Sequence, residues 1–211
     1  MSWSAFVTTR DRVRDLRALV PWLERVGADP ITLVDCGSTW PPLLAYLADT
    51  PHAVVRLPNL GPRAVWLAGL APADRPYIVT DPDLVPAAEC PDDALAHLSD
   101  LLVRYPGWPK TGLGLDLRDL LPGSPLRPWE EGLLARPLAP GVYDSLVDAT
   151  LALYRPGVPW TATALRTGAP YLLRHPSWAV ETPDAEDAYY LAHARRGPDG
   201  SSWAAAMAMR R

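Results

Sequence analysis

Apolar residues recur in two rhythms that alternate along the first half of the chain. Residues 4–9, SAFVTT, form a short β-like run. The next segment, DRVRDLRALVPWLERVG, places Val13, Leu16, Leu19, Val20, Leu23 and Val26 at helical spacing, with charges between them. Asp11 suits the N-cap of that helix, Gly27 its stop, and Pro21 predicts a kink. Further strands are predicted over 31–35 (ITLVD), 52–57 (HAVVRL) and 76–80 (PYIVT). Short helices fall between them at 41–49, opening on prolines, and at 62–70. Strands alternating with helices predict parallel pairing with right-handed crossovers. Ligands of such sheets collect at the carboxyl ends of the strands. Thr8, Thr9 and Arg10, then Asp35, Cys36, Gly37 and Ser38, then Asn59 and Gly61, then Asp81 and Asp83 all follow a predicted strand. One polar edge is therefore expected.

The second half is less regular. A helix over 92–105 is capped by Asp92 or Asp93. KTGLGLDL reads as one strand holding Gly112 and Gly114, and 128–138 as a short helix. The stretch 145–154 reads as strand or short helix, and TATALRTG and PYLLRH as short strands or extended loop. A last helix is expected over 184–197, with a frayed tail, GSSWAAAMAMRR. The expectation is one α/β domain, residues 1–211. Its ligand-binding half spans 1–105, and 106–211 is a second half that does not separate.

Composition narrows the classes. The chain has 211 residues, 48% hydrophobic, with a net charge of −4, which is a globular composition with room for a core. No basic stripe points to nucleic acid. Cys36 and Cys90 match no metal spacing and read as buried free thiols of a reducing cytoplasm. No leader peptide and no stretch near the ~20 apolar residues of a membrane span is read, so the expected location is cytoplasmic, with a peripheral membrane visit left open. A homodimer also stays open.

The sharpest chemistry lies in YIVTDPDLVP, 77–86. Asp81 and Asp83 flank Pro82 at the end of a strand. A type I turn explains an isolated Asp-Pro pair. At a ligand-binding edge, paired carboxylates also suit a hard divalent cation, since Mg²⁺ takes one or two carboxylates together with phosphates and waters. His175, in RHPSW, is either a satisfied histidine or a metal ligand. Glu130 and Glu131 in PWEE are either a solvated first helical turn or a source of the general base, with Asp148 and Asp116 as competitors. Lys110 reads as a solvated charge. Gly112 and Gly114 mark either close approach to a ligand or a packing constraint. His52, His97 and His193 read as structural. Of the nine tryptophans, Trp129 and Trp178 flank the proposed chemistry.

The order TTR, VDCGST, NLG, TDPDL resembles the nucleotide-sugar half of GT-A fold glycosyltransferases. STWPPLL, KTGLGLDL, PWEE, DATLALYR and RTGAPYLLRHPSW are similar to a small bacterial group among them, over about Phe6 to Tyr190. That resemblance implies a mixed, mostly parallel sheet flanked by helices and an enzyme transferring a hexosyl group. The donor would be a nucleoside-diphosphate sugar, a UDP-sugar foremost. The acceptor would be a hydroxyl of a sugar, a lipid-linked precursor or a small molecule, attacked with inversion. It implies Mn²⁺ or Mg²⁺ on Asp81, Asp83 and His175, and donor contacts from Thr8, Arg10, Asp35, Asn59, Gly61, Asp81 and Arg174. It also implies a carboxylate base among Glu130, Glu131 and Asp148. Cys36 departs from the family pattern, which has a second acid or Asn there. The rival readings are a nucleotidyltransferase, against which TTRDRVRD lacks glycine, and a non-catalytic nucleotide-sugar-binding domain. A nicotinamide-binding module lacks its G-x-G-x-x-G.

Overall fold

The computed structural model describes residues 2–148 and 150–193. The chain forms one α/β domain around a large mixed sheet. The first half follows the expected alternation: β1 (Trp3–Thr9), α1 (Leu16–Arg25), β2 (Ala28–Cys36), α2 (Pro41–Asp49), β3 (Ala53–Leu57), α3 (Ala64–Leu67) and β4 (Tyr77–Thr80). β3, β2, β1 and β4 lie side by side and parallel. Their apolar runs pack on both faces. Leu16, Leu19 and Leu23 of α1 are fully buried against them, together with Ala5, Leu33 and Ile78. This core is the α1 stripe read from periodicity.

Three local expectations change. Helix α1 begins at Leu16, not near Asp11, with Asp15 at its N-cap. Asp11 is instead the one described non-glycine residue with positive φ, 53°. Its carboxylate accepts from the Thr39 and Trp40 amides at 2.6 and 2.8 Å, tying the loop after β1 to the loop after β2. The helix expected at 62–70 shrinks to a 3-10 turn, Gly61–Arg63, followed by α3. Gly27 does end α1, with φ 97°.

The second half contributes β5 (Val85–Pro86), α4 (Ala94–Arg104), β6 (Lys110–Gly112), β7 (Gly114–Leu115), α5 (Arg127–Gly132), β8 (Pro137–Ala139), β9 (Val142–Leu146), β10 (Ala152–Tyr154), β11 (Thr163–Thr167), β12 (Leu172–Arg174) and α6 (Ala185–His193). KTGLGLDL is thus two strands in two sheets. The 128–138 segment is a helix followed by a strand, and 145–154 takes in the end of β9 and all of β10. The expected end of the last helix and the tail lie outside the described residues.

The nine-stranded sheet runs β3-β2-β1-β4-β10-β6-β11-β9-β8. β10 inserts antiparallel between β4 and β6, β11 is parallel to β6, and β9 and β8 are antiparallel. Half of the pairings are antiparallel, so the expectation of a mostly parallel sheet is corrected. The alternation that predicted parallel pairing stops at β4. The short β10 follows β9 without an intervening helix and pairs antiparallel with two strands distant in sequence, β4 and β6.

A second sheet, β5-β12-β7, stands off the carboxyl edge. Each of its strands continues a strand of the large sheet: β5 follows β4, β7 follows β6, and β12 follows β11. The crossing of β7 over β11 is tight. A Cβ on Gly114 would lie 2.2 Å from the Thr167 carbonyl oxygen, and one on Gly112 2.7 Å from Val147. Both glycines therefore serve packing.

Candidate functional site

The order β3-β2-β1-β4 reverses direction of travel at β1. The chain goes outward to β3 and returns on the other side to β4, which opens a crevice at the carboxyl ends of β1 and β4. Register aligns the edge residues: Thr9 opposite Asp35, Asp35 opposite Arg56, and Val7 opposite Thr80. The expected convergence of Thr8, Arg10, Asp35 and Asp81 on this edge is what the sheet produces. Beside it, Asn59 and Gly61 close a small turn, with the Gly61 amide donating to Asn59 Oδ1 at 3.2 Å.

Two elements from the second half complete the crevice, and register explains both. β12 runs antiparallel to β5, with Arg174 opposite Val85. His175, one residue on, therefore meets the chain just before β5. Its Nε2 stands 3.6 Å from Asp83 Oδ2, beyond hydrogen-bond range. The imidazole stacks on Trp178, rings 4.8 Å apart and 6° from parallel, and its Nδ1 is buried without a partner. β10 runs antiparallel to β4, with Ala152 opposite Val79. The residues before β10 are thereby carried to the end of β4, and Asp148 comes within electrostatic range of Asp81.

Asp81 and Asp83 form a bend about the buried Pro82. Among the described residues no hydrogen-bond donor reaches the carboxylate of either. Burial, then Asp83, then Asp148 raise the Asp81 carboxyl well above the usual range. Asp15, at the start of α1, adds to the same acidic field. Burial raises it, its arginine neighbours oppose the rise, and Asp83 reinforces it; its Oδ2 is buried and unpartnered. Sequence reading missed Asp15. It resembles any helix-capping aspartate, and only the β4–β5 bend brings Asp83 to it.

The metal set falls short of three protein ligands. Among the described residues no three His, Cys, Asp or Glu side chains form a group that holds an ion. The Asp83–His175 separation, 3.6 Å, is slightly wider than two ligands of one ion keep, so the pair would have to draw together on it. Bonds of about 2.1 Å put neighbouring ligand atoms roughly 3.0–3.4 Å apart. A magnesium-like ion that takes its remaining oxygens from phosphates and water needs no third side chain.

The other expected residues are mostly engaged. Asp35 accepts from its own loop, Ser38 N at 2.9 Å, and from Arg56 at 3.1 Å. Burial first, then Asp35, pushes the Cys36 thiol up to about 11, so Cys36 is an inert buried thiol; Cys90 is partly buried. The same field at Cys36 includes Arg10 and Asp81, which places both near the end of β2. Arg10 donates to the His193 carbonyl at 2.8 Å; its buried Nε lies 3.8 Å from Asp11 Oδ2 without a hydrogen bond, and Thr8 Oγ1 is likewise buried without one.

Arg174, expected to face phosphate, forks onto Asp119 at 2.6–3.2 Å. Asp116 is held by Arg118, Nε to Oδ2 at 2.7 Å. Glu130 is not a solvated helical residue: it is buried, and Arg166 donates to it at 2.7 Å. Burial raises its carboxyl, Arg166 lowers it, and Asp148 raises it again. Glu131 is exposed and pairs with Arg127. Asp148 is exposed like Glu131 but, unlike the other base candidates, pairs with no arginine among the described residues; its Oδ1 accepts from Thr150 Oγ1 at 2.9 Å.

Trp129 is exposed and Trp178 is buried. His97 stacks on Tyr171, His52 lies by Glu24, and His193 Nδ1 stands 2.8 Å from the Tyr189 carbonyl, all within structural contacts.

Helix α6 straps the loop that follows β1. Glu186 accepts from the Val13 and Arg14 amides, and Asp187 from Arg12 at 2.9 Å with both side chains buried. The Tyr189 hydroxyl donates to Thr39 Oγ1 at 2.9 Å, and the ring packs on Trp40. The strap fixes one wall of the crevice. No helix of the described residues is long and apolar enough to cross a membrane.

No protein-family model matches this chain, and no curated protein matches it.

Proposed function

We propose that this chain is a GT-A fold glycosyltransferase, moving a hexosyl group from a nucleoside-diphosphate sugar to an acceptor hydroxyl with the help of Mn²⁺ or Mg²⁺. The observation that carries the reading is the Asp81 carboxylate, crowded by Asp83 and Asp148 with no described donor to satisfy it. Like charges brought together at a ligand-binding edge are unfavourable unless a cation completes the site. Asp83 and His175, 3.6 Å apart, would hold that ion, with Asp81 beside them. When bound, the ion supplies Lewis-acid stabilisation of charge on the departing diphosphate.

The chain's own residues have separable tasks. Thr8, Asp35, Asn59 and Gly61 border the nucleoside side of the crevice, and Arg10 adds positive charge there. Asp148 is the preferred base. It is exposed, it lies within electrostatic range of Asp81, and Glu130 and Glu131 are already paired with Arg166 and Arg127. A carboxylate there takes the acceptor proton as the hydroxyl oxygen attacks. UDP-sugars are the first donors to try, and the acceptor is a sugar, lipid-linked or small-molecule hydroxyl.

The test is a thermal-shift screen of nucleoside-diphosphate sugars with and without Mn²⁺, followed by donor hydrolysis. A true donor raises the melting temperature most at fixed concentration, and only with the metal. No metal-dependent shift from any donor would sink the reading.

A further inference from the structure

Lys110 is the one lysine of the chain and is fully buried, against its expectation as a solvated charge. Its Nζ reaches the Val147 carbonyl, the Asp148 carbonyl at 3.1 Å and Tyr154 Oη at 2.8 Å. Two of these three partners are consecutive backbone groups of the turn that carries Asp148. The third sits on β10, directly opposite Lys110 in register. Tyr154 is itself fixed from behind. It stacks on Tyr77 at 5.2 Å, and Tyr77 Oη donates to the Val158 carbonyl.

We propose that Lys110 is a positioning residue: from inside the sheet it clamps the Val147–Asp148 turn and so holds the Asp148 carboxylate against Asp81. The arrangement is satisfied in either protonation state. An ammonium donates to all three oxygens. A neutral amine donates to the two carbonyls and accepts from the Tyr154 hydroxyl. The groups facing Nζ are therefore Asp148 from the turn and Tyr154 from β10, with Tyr77 of β4 and Asp81 beyond them on the Tyr154 side. A surface lysine would do none of this. A buried apolar residue there would leave two carbonyls without a donor.

The link from turn to catalysis rests on the proposed function, whereas the clamp itself does not. Lys110→Met in the full chain tests both, with a thermal melt to establish folding. Amide exchange is read at Val147, which bonds the Ala162 carbonyl, and at Thr150, which bonds Asp148 Oδ1. Exchange at both is expected to rise at least about tenfold, as loss of the two carbonyl hydrogen bonds predicts, with β1 unchanged. Donor turnover is expected to fall about tenfold while donor affinity stays within about threefold. Wild-type exchange at both amides in folded Lys110→Met overturns the clamp, and faster exchange with full turnover overturns its role in placing Asp148.

If Lys110→Met does not fold, Tyr154→Phe decides. Faster exchange confined to those two amides supports the clamp, and unchanged or uniformly raised exchange overturns it. A wild-type protein that turns over no nucleotide sugar sinks the proposed function, and the exchange result still judges the clamp.

Discussion

Acids occur at two kinds of place in this molecule. Across the second half four buried or half-buried acids are each matched to an arginine: Asp116 to Arg118, Asp119 to Arg174, Glu130 to Arg166, and Asp144 to Arg136. The strap repeats the rule with Asp187 on Arg12. At the carboxyl end of β4 the rule stops. Asp81 and Asp83 have no arginine among the described residues, although the chain holds 20 basic residues in all. Paired acids stabilise the frame, and unpaired acids at the crevice raise its energy. A protein retains the second kind where a ligand offsets the repulsion. The contrast also sorts the base candidates, because an acid that already holds an arginine has little left to offer a proton.

The largest effect expected from breaking that contrast is on turnover. Asp148→Asn keeps the shape and the Thr150 contact but removes the proton acceptor. Transfer should fall about 10²–10⁴-fold, with donor affinity unchanged in calorimetry. Full turnover in this variant would move the base elsewhere.

Glu130 tests the paired class. Glu130→Ala leaves Arg166 buried and uncompensated, and denaturant unfolding should report a loss of about 3–5 kcal/mol. Glu130→Gln, which keeps an acceptor for Arg166, should lose less and should still transfer sugar. A large drop in turnover in a stable Glu130→Gln protein would place it with the unpaired, chemical acids.

Asp83→Ala tests the unpaired class from the other side. Donor affinity in Mn²⁺ should fall at least about 100-fold, since losing a direct ligand costs no less than losing a group that supports one. Without metal the same variant should melt at or above the wild-type temperature, because one of the crowding charges is gone. A lower melting temperature without metal would mean that Asp83 belongs with the structural acids.

The fold's first half was legible because its signals are local. Buried parallel strands read as apolar runs, and α1 shows its stripe from Leu16 to Leu23. The polar edge then followed from a rule about strand ends. What sequence reasoning could not see depends on partners far along the chain. Glu130 meets Arg166 36 residues later, and Lys110 meets Val147 37 residues later. Neither pairing leaves a periodic trace, so Glu130 looked like a helix-dipole acid and Lys110 like a surface charge. The antiparallel insertion of β10 is invisible for the same reason. It rests on the register of Ala152 with Val79 and Gly112, not on any motif. Asp83 and His175 were legible as types of residue. That they stand together depends on β5 and β12, strands too short to announce themselves.

The smallest expected effect concerns Lys110, a buried cation in a region of buried acids. Burial lowers its pKa from 10.5 to about 7, with Asp148 opposing. Between those values the unfolded chain binds the proton and the folded chain releases it. Stability therefore rises with pH through that window, and the benefit is lost as pH falls back towards 7. The slope should be about 1 kcal/mol per pH unit near pH 8, seen in wild-type protein and absent from Lys110→Met. Subtracting the two unfolding curves removes the thiols and tyrosines that titrate nearby. A flat difference would mean that the carbonyls of Val147 and Asp148, with Tyr154, hold the proton as firmly as water does. The acidic crevice and the lysine beneath it would then be one neutralised unit, and the division between paired and unpaired acids would have to be redrawn at Asp148.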